Sequence, residues 1–309
     1  MPELPEVETV RRGLDSLVRG ARIDAVEIRR ESCVRLLPGG AAEFAAEVGG
    51  LRLSRLARRG KFLWAELAEL EGDDAPVLAL SAHLGMSGQF RIHTDVPDAH
   101  PHCRARLTLA DPTLTLDFLD QRTFGYLHVE PLVPTPDGGA GGAGTPLPLL
   151  PASVAHIGRD ALDPVLDAVA AARALRRGSR GIKQVLLDQT VVSGIGNIYA
   201  DEALWLARVH PERPAHAVTA AQARDLLAAT REVMGRALGQ GGTSFDALYV
   251  NVNGESGYFS RSLEAYGRAG EPCSRCGAPL RRETIGGRST HWCPRCQRRW
   301  SARRSGPRS

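Results

Sequence analysis

Apolar positions recur at three-to-four spacing in Leu4, Val7, Val10, Leu14 and Leu17, which predicts a helix over residues 1–20. From Ile23 to about Glu130 the period shortens. Ala25–Ile28, Phe62–Ala65, Val77–Leu80, Leu107–Leu109 and Leu114–Phe118 read as short strands between turn signals, the pattern of a sandwich or barrel. Helical spacing returns in Asp163–Arg176 and Thr219–Leu238, with Thr219 placed to cap the second. Between them, Ile182–Asp188 leads into Val192–Glu202, where Gly194 and Gly196 break the pattern and Asn197 starts another helix. Such a tight helix–turn–helix junction is either a plain connection or a phosphate site built from the first backbone N–H groups. Residues 134–151 hold five Pro and five Gly in 18, which predicts a flexible insertion instead of a packed element.

The 309 residues are 43% hydrophobic and 24% charged, ordinary for two domains or one large one. No apolar run is long enough for a membrane span, and the start lacks the basic-then-apolar pattern of a secretory signal, so a cytoplasmic protein is expected. The net charge of +4 is unevenly placed. Residues 261–309 carry 12 arginines and three acids, giving +9, while the other 260 residues sum to −5. A basic module on a slightly acidic body points to a polyanionic partner.

Within that module, Cys273-x2-Cys276 and Cys293-x2-Cys296 are separated by 16 residues. Two such pairs can place four thiolates around one zinc. Four Cys ligands leave no open position for water, so the zinc is structural. Without a secretory signal, disulfides are the weaker alternative. The loop between the pairs carries Arg281, Arg282 and Arg288, and Gly286-Gly287 is good hairpin-turn chemistry. Cys33 and Cys103 have no partner pattern and read as buried, inert thiols.

The first residues carry a second chemical signal. Once Met1 is removed, Pro2 has a free secondary amine with a pKa of roughly 8, so part of it is nucleophilic near neutral pH. Such an amine can form a Schiff base with an aldehyde-like carbon. Glu3 and Glu6 lie within one turn and can shuttle protons for it. The same residues also suit a plain helix onset, with proline and acids at the positive end of the dipole.

Taken together, MPELPEVETVRRGL at the start, RRGKFL (58–63), HLGMSG (83–88), DQRTFG (120–125), VVSGIGNIYADEAL (191–204), GGTSFDALYVNVNGESGYF (241–259) and the cysteine segment 266–297 resemble the bacterial formamidopyrimidine-DNA glycosylases over nearly the whole chain. The resemblance implies an α+β multidomain fold: an N-terminal helix plus β-sandwich (1–155, with the insertion 134–151), a helix–two-turn–helix domain (156–262), a C-terminal zinc finger β-hairpin (263–300) and a basic tail (301–309). It implies excision of oxidised purines from double-stranded DNA followed by backbone cleavage, in a monomer with one structural zinc and no redox cofactor, acting on oxidised-purine or abasic sites in the bacterial cytoplasm.

The same resemblance assigns roles. Pro2 matches the nucleophile, Glu3 the adjacent proton-transferring acid and Glu6 a supporting acid. Lys61 and Arg288 match phosphate-holding residues that assist the eliminations, and Asn197 a further phosphate ligand. Met86, Arg122 and Phe124 match residues filling the gap left by the extruded base, although Met86 and Phe124 read alone suit core packing. His100 and Arg180 are further candidate DNA contacts, with Arg177 an alternative to Arg180 because Gly178-Ser179 interrupts the basic pair. Segment 241–259 resembles a loop that covers the lesion. The rival readings are a sister endonuclease VIII-like enzyme acting on oxidised pyrimidines, a non-enzymatic lesion-binding protein, and a zinc-ribbon RNA-binding factor. Leu4 and segment 241–259 oppose the first, the joint presence of Pro2, Glu3 and Lys61 opposes the second, and the third accounts for the C-terminus alone.

Overall fold

The computed structural model describes residues 2–71, 75–95, 98, 100–110, 112–242 and 262–301. Met1, the segment beyond Gly242 that is expected to cover the lesion, and the basic tail beyond Ser301 therefore lie outside the described residues.

Helix α1 (Leu4–Val18) precedes β1 (Arg22–Ile28), α2 (Gly40–Val48), β2 (Arg52–Arg59), β3 (Phe62–Ala68), β4 (Pro76–His83), β5 (Gly88–His93), β6 (Cys103–Ala110), β7 (Leu114–Asp120) and β8 (Tyr126–Glu130). The eight strands form one antiparallel sheet in the order β5-β7-β6-β1-β2-β3-β4-β8. Strands β1 and β2 are in ladder register at Arg22 and Arg52, and the sheet folds over at this seam into a sandwich. Leu63 and Leu80 from one half meet Leu107 and Phe118 from the other, and Val7, Val10 and Leu14 of α1 join them. The β4–β5 and β7–β8 connections both cross between the halves, bringing HLGMSG and DQRTFG to one end of the sandwich.

A second core belongs to α3 (Ala168–Leu175), α4 (Ile182–Leu186), α5 (Asn197–Leu206) and α6 (Ala220–Gly239). Leu4 is buried in this core, three residues before Val7 enters the sandwich core. Helix α1 thus pins the two units together at its first turn, which is where Pro2 and Glu3 sit. Thr219 caps α6 as expected: its Oγ1 accepts from the Gln222 N–H and Gln222 Oε1 accepts from the Thr219 N–H. The helix predicted over Asp163–Arg176 begins later, at Ala168, because Asp167 caps the N–H groups of Val169 and Ala170. Asp163 instead bonds Arg159 and the Val165 N–H.

The Pro/Gly segment corrects a sequence expectation, because it is packed. Strands β9 (Leu132–Pro134) and β10 (Leu149–Pro151) pair antiparallel, and between them Ala143 exchanges both backbone hydrogen bonds with Arg58 at 2.9 Å. A Cβ at Gly142 would strike the Arg58 carbonyl, and one at Gly144 the Leu56 carbonyl. The glycines are there for close backbone approach, and arginines meet the exposed carbonyls: Arg59 Nε donates to Gly141 O at 2.8 Å and Arg159 Nη1 to Ala140 O at 2.7 Å.

Cys33 and Cys103 are buried, and burial raises their thiols to about 12 and about 11, so both are inert at neutral pH.

Candidate active site

At the junction of the two units, the Glu3 carboxylate turns toward the start of α5. It accepts from the N–H groups of Gly196 at 2.7 Å, Ile198 at 2.9 Å and Tyr199 at 3.3 Å. The helix start that the sequence left open as a plain connection or a phosphate site is thus filled by the protein's own carboxylate, which the helix dipole favours equally. Burial pushes the Glu3 carboxyl up to about 7; Lys61 opposes the rise and Glu6 adds to it. Glu6 is held by the Glu3 N–H at 2.9 Å and the Tyr199 hydroxyl at 2.7 Å.

Lys61 follows the tight turn at Gly60 (φ +57), where any Cβ would strike Ser193. Its Nζ donates to Ile195 O at 2.9 Å, and burial lowers its pKa while Glu3 opposes the drop. The turn is fixed from below by buried ions. Arg58 bonds Glu8 and Asp160, both at 2.7 Å, and the Gly60 N–H donates to Asp160 at 3.2 Å. Burial works to raise the Glu8 carboxyl, but Arg11, Arg58 and Arg12 prevail and hold it at about 2. Lys61, Phe62, His83, Gln189, Gly196 and Arg288 line a cleft cavity of ≈150 Å³ beside Glu3.

Arg288 opens β12 (Arg288–Trp292), which pairs with β11 (Arg281–Ile285) across a Gly286–Gly287 turn with φ of 58 and 75°. The hairpin is clamped to the helical unit by residues the sequence reading did not single out. Buried Lys183 pairs with Asp201 at 2.6 Å and donates to Thr290 Oγ1 at 2.8 Å, and Asp201 accepts from the His291 N–H at 2.7 Å. Asn197 Nδ2 donates to Ser289 O at 2.8 Å, so this predicted phosphate ligand also braces the hairpin.

Matches cover the chain in three segments: the formamidopyrimidine-DNA glycosylase N-terminal domain over residues 1–127, the H2TH domain of the same glycosylase over 157–247, and the zinc finger found in FPG and IleRS over 270–299. The formamidopyrimidine-DNA glycosylase of Leifsonia xyli is 52% identical over 301 residues, spanning 96% of this chain and 100% of that protein. The chain belongs to the formamidopyrimidine-DNA glycosylase family. It is a DNA-binding repair protein of the base excision class with a zinc finger. Two crystal structures of Lactococcus lactis Fpg have the same fold. The complex with N7-benzyl-Fapy-dG DNA is 31% identical with a TM-score of 0.78, and one with abasic-site DNA is 30% identical with a TM-score of 0.77. Each covers 96% of this chain and 100% of the Lactococcus chain.

The family's zinc finger has a matching donor set here. The Sγ atoms of Cys273, Cys276, Cys293 and Cys296 all lie within 4.8 Å of one another. Zn–S bonds of about 2.3 Å in a tetrahedron put sulfurs roughly 3.8 Å apart, so the cluster fits one structural zinc. Trp205 Nε1 and the Cys296 N–H donate to the Cys273 and Cys293 sulfurs, both at 3.4 Å, as suits thiolates. Cys276→Ser is expected to weaken duplex binding roughly tenfold or more while the melting of the sandwich moves little. Paired binding titrations and thermal melts check this, and unchanged affinity would count against the hairpin as a DNA contact.

Met86 and Phe124 are 39% and 56% exposed, so the core-packing alternative does not hold. Arg122 lies beside them, its Nη1 3.6 Å from Met86 Sδ. The loop carrying Phe124 is held stiffly: Asp120 accepts from the Gly125 N–H at 2.7 Å, Arg35 donates to Phe124 O at 3.0 Å, and Thr123 sits at φ +56. Arg180 is exposed and paired with Asp188 at 2.9 Å, next to cleft residue Gln189. His100 lies on an exposed loop before β6, its Nδ1 accepting from the His102 N–H, and does not line the cleft. His83 and Gln189 do line it, yet neither has a spacing signal that marks it in sequence.

Proposed function

We propose that this protein is a bifunctional DNA glycosylase and AP lyase that removes 8-oxoguanine and formamidopyrimidines from duplex DNA. The observation that carries the reading is Glu3, next to Pro2 in the chain: a buried carboxyl raised to about 7 whose hydrogen-bond partner Gly196 lines one small cleft with Lys61 and Arg288. In this reading the Pro2 nitrogen attacks C1′ of the damaged nucleotide and the base leaves with the glycosidic electron pair. The proton lost by the Pro2 nitrogen goes to the departing base, and Glu3, protonated, gives its own proton to the sugar ring oxygen as the ring opens, leaving an iminium on Pro2. Loss of a C2′ proton then expels the 3′ phosphate, and a second elimination expels the 5′ phosphate. Lys61 and Arg288 hold these phosphates, so the departing charge is met by fixed cations. Hydrolysis of the last imine returns the free amine.

Reaching C1′ requires the nucleotide to leave the stack, at a cost of a few kcal/mol. Met86 and Phe124, exposed on stiff connections beside Arg122, suit filling the gap. Arg180 and His100 serve as further DNA contacts, and Asn197 serves a phosphate beside the hairpin it braces. The reading includes action as a monomer in the bacterial cytoplasm. Three duplexes test the reading, carrying 8-oxoguanine, a formamidopyrimidine or an oxidised pyrimidine at one position. Faster single-turnover cleavage of the first two is expected, with phosphates on both ends of the gap. Preference for the pyrimidine would move the substrate to the sister enzyme's class. Tight binding without cleavage would leave a damage-recognition protein.

A further inference from the structure

On the helical unit, α3 and α6 leave a surface groove of ≈180 Å³, larger than the cleft beside Lys61. Leu166 and Val169 from the α3 side and Leu227 and Ala228 from α6 give it an apolar floor, and none of them lines the cleft. Val169 is 65% exposed, the largest exposure among the exposed large hydrophobic side chains described. Arg224 and Arg231 line the same groove. They stand seven positions apart on α6, on one helix face and about 10.5 Å apart along the axis. Arg231 is pre-oriented, because its Nε donates to Ala161 O at 2.8 Å, and its Nη groups have no protein partner among the described residues. Asp225 and Glu232, one position beyond each arginine, do not line the groove.

We propose that this groove binds an acidic peptide segment of a partner protein, with an apolar side chain lying between two carboxylates. An extended segment advances about 3.3 Å per residue, so carboxylates three positions apart span roughly the separation of the two arginines. Planar guanidinium groups suit such carboxylates, and the side chain between them covers Val169 and Leu227. The apolar floor favours a peptide over a nucleic-acid backbone, whose hydrated phosphates gain nothing from aliphatic walls.

The test is fluorescence anisotropy of a labelled EDFLDE peptide with the full-length protein, against EDGGDE and the charge-reversed KRFLKR. Saturable binding of EDFLDE is expected, weakened at least tenfold in Arg224→Glu/Arg231→Glu and separately in Val169→Asp, with lesion cleavage unchanged in both variants. Absence of saturable binding overturns the proposal. So does equal binding of EDGGDE, or binding that neither variant alters. Two further results also overturn it and reassign the surface: a loss of duplex affinity in the double arginine variant without peptide binding, which gives the arginines to DNA, and a concentration-dependent dimer abolished by Val169→Asp, which gives the groove to a second copy.

Discussion

Borohydride added to the protein on a duplex holding one 8-oxoguanine opposite cytosine is expected to yield a stable covalent complex, and Pro2→Gly to lower its yield by about 10²-fold, the scale on which a placed catalytic group acts. Pro2 is buried, and the next residue is anchored by the Gly196 amide and two α5 amides, so the amine has little freedom to turn away. Glycine keeps an α-amine but loses the ring that fixes φ and makes the nitrogen secondary. A retained Met1 is expected to abolish trapping altogether, because it turns the nitrogen into an amide. Mass spectrometry of the active fraction reads this directly: intact Met1 in active enzyme would overturn the mechanism. Trapping that survives in Pro2→Gly at full yield would overturn the need for the proline ring, and mapping the cross-linked peptide would then decide between the variant's own α-amine and Lys61.

Features that depend on neighbours in sequence are legible in the chain itself. The Thr219 cap, the Gly286–Gly287 turn and the CxxC pairs each express a local rule, and each stands where its spacing puts it. Of the α1 stripe, Leu4, Val7, Val10 and Leu14 are buried, but Leu17 is 40% exposed and Val18 takes the core position instead. The site is legible mainly through resemblance, since Pro2, Lys61 and Arg288 are more than fifty residues apart and no periodicity joins them. Long-range compensations escape a reading of the sequence. Gly141, Gly142 and Gly144 look like flexible chain until the Leu149, Arg58 and Leu56 carbonyls, respectively, are found beside them. Nothing near Lys183 in sequence marks it as buried; its partners Asp201 and Thr290 lie 18 and 107 positions away. A helix N-terminus advertises an anion site, but sequence does not say whether the anion is a phosphate or the protein's own Glu3.

That occupancy by Glu3 sets the pH behaviour. The reading needs Glu3 protonated, to donate to the sugar, and the Pro2 amine unprotonated, to attack. Burial puts the carboxyl at about 7, and an ordinary α-amine sits at roughly 8. Below about 7 the carboxyl is already protonated, so the rate of base excision should climb tenfold per pH unit as the amine loses its proton. Above about 8 the amine is free, and the rate should fall tenfold per unit as the remaining protonated Glu3 disappears. The expected single-turnover profile is a bell centred between the two values. Glu3→Gln has no proton to give and is expected to slow base release by about 10²- to 10⁴-fold. The same variant should keep much more of its activity on a preformed abasic site, whose sugar opens without help and offers Pro2 an aldehyde. An alkaline limb that persists in Glu3→Gln would place the acid elsewhere. An equal loss on both substrates would make Glu3 a positioning group for Pro2 through its grip on α5, with no proton transfer of its own.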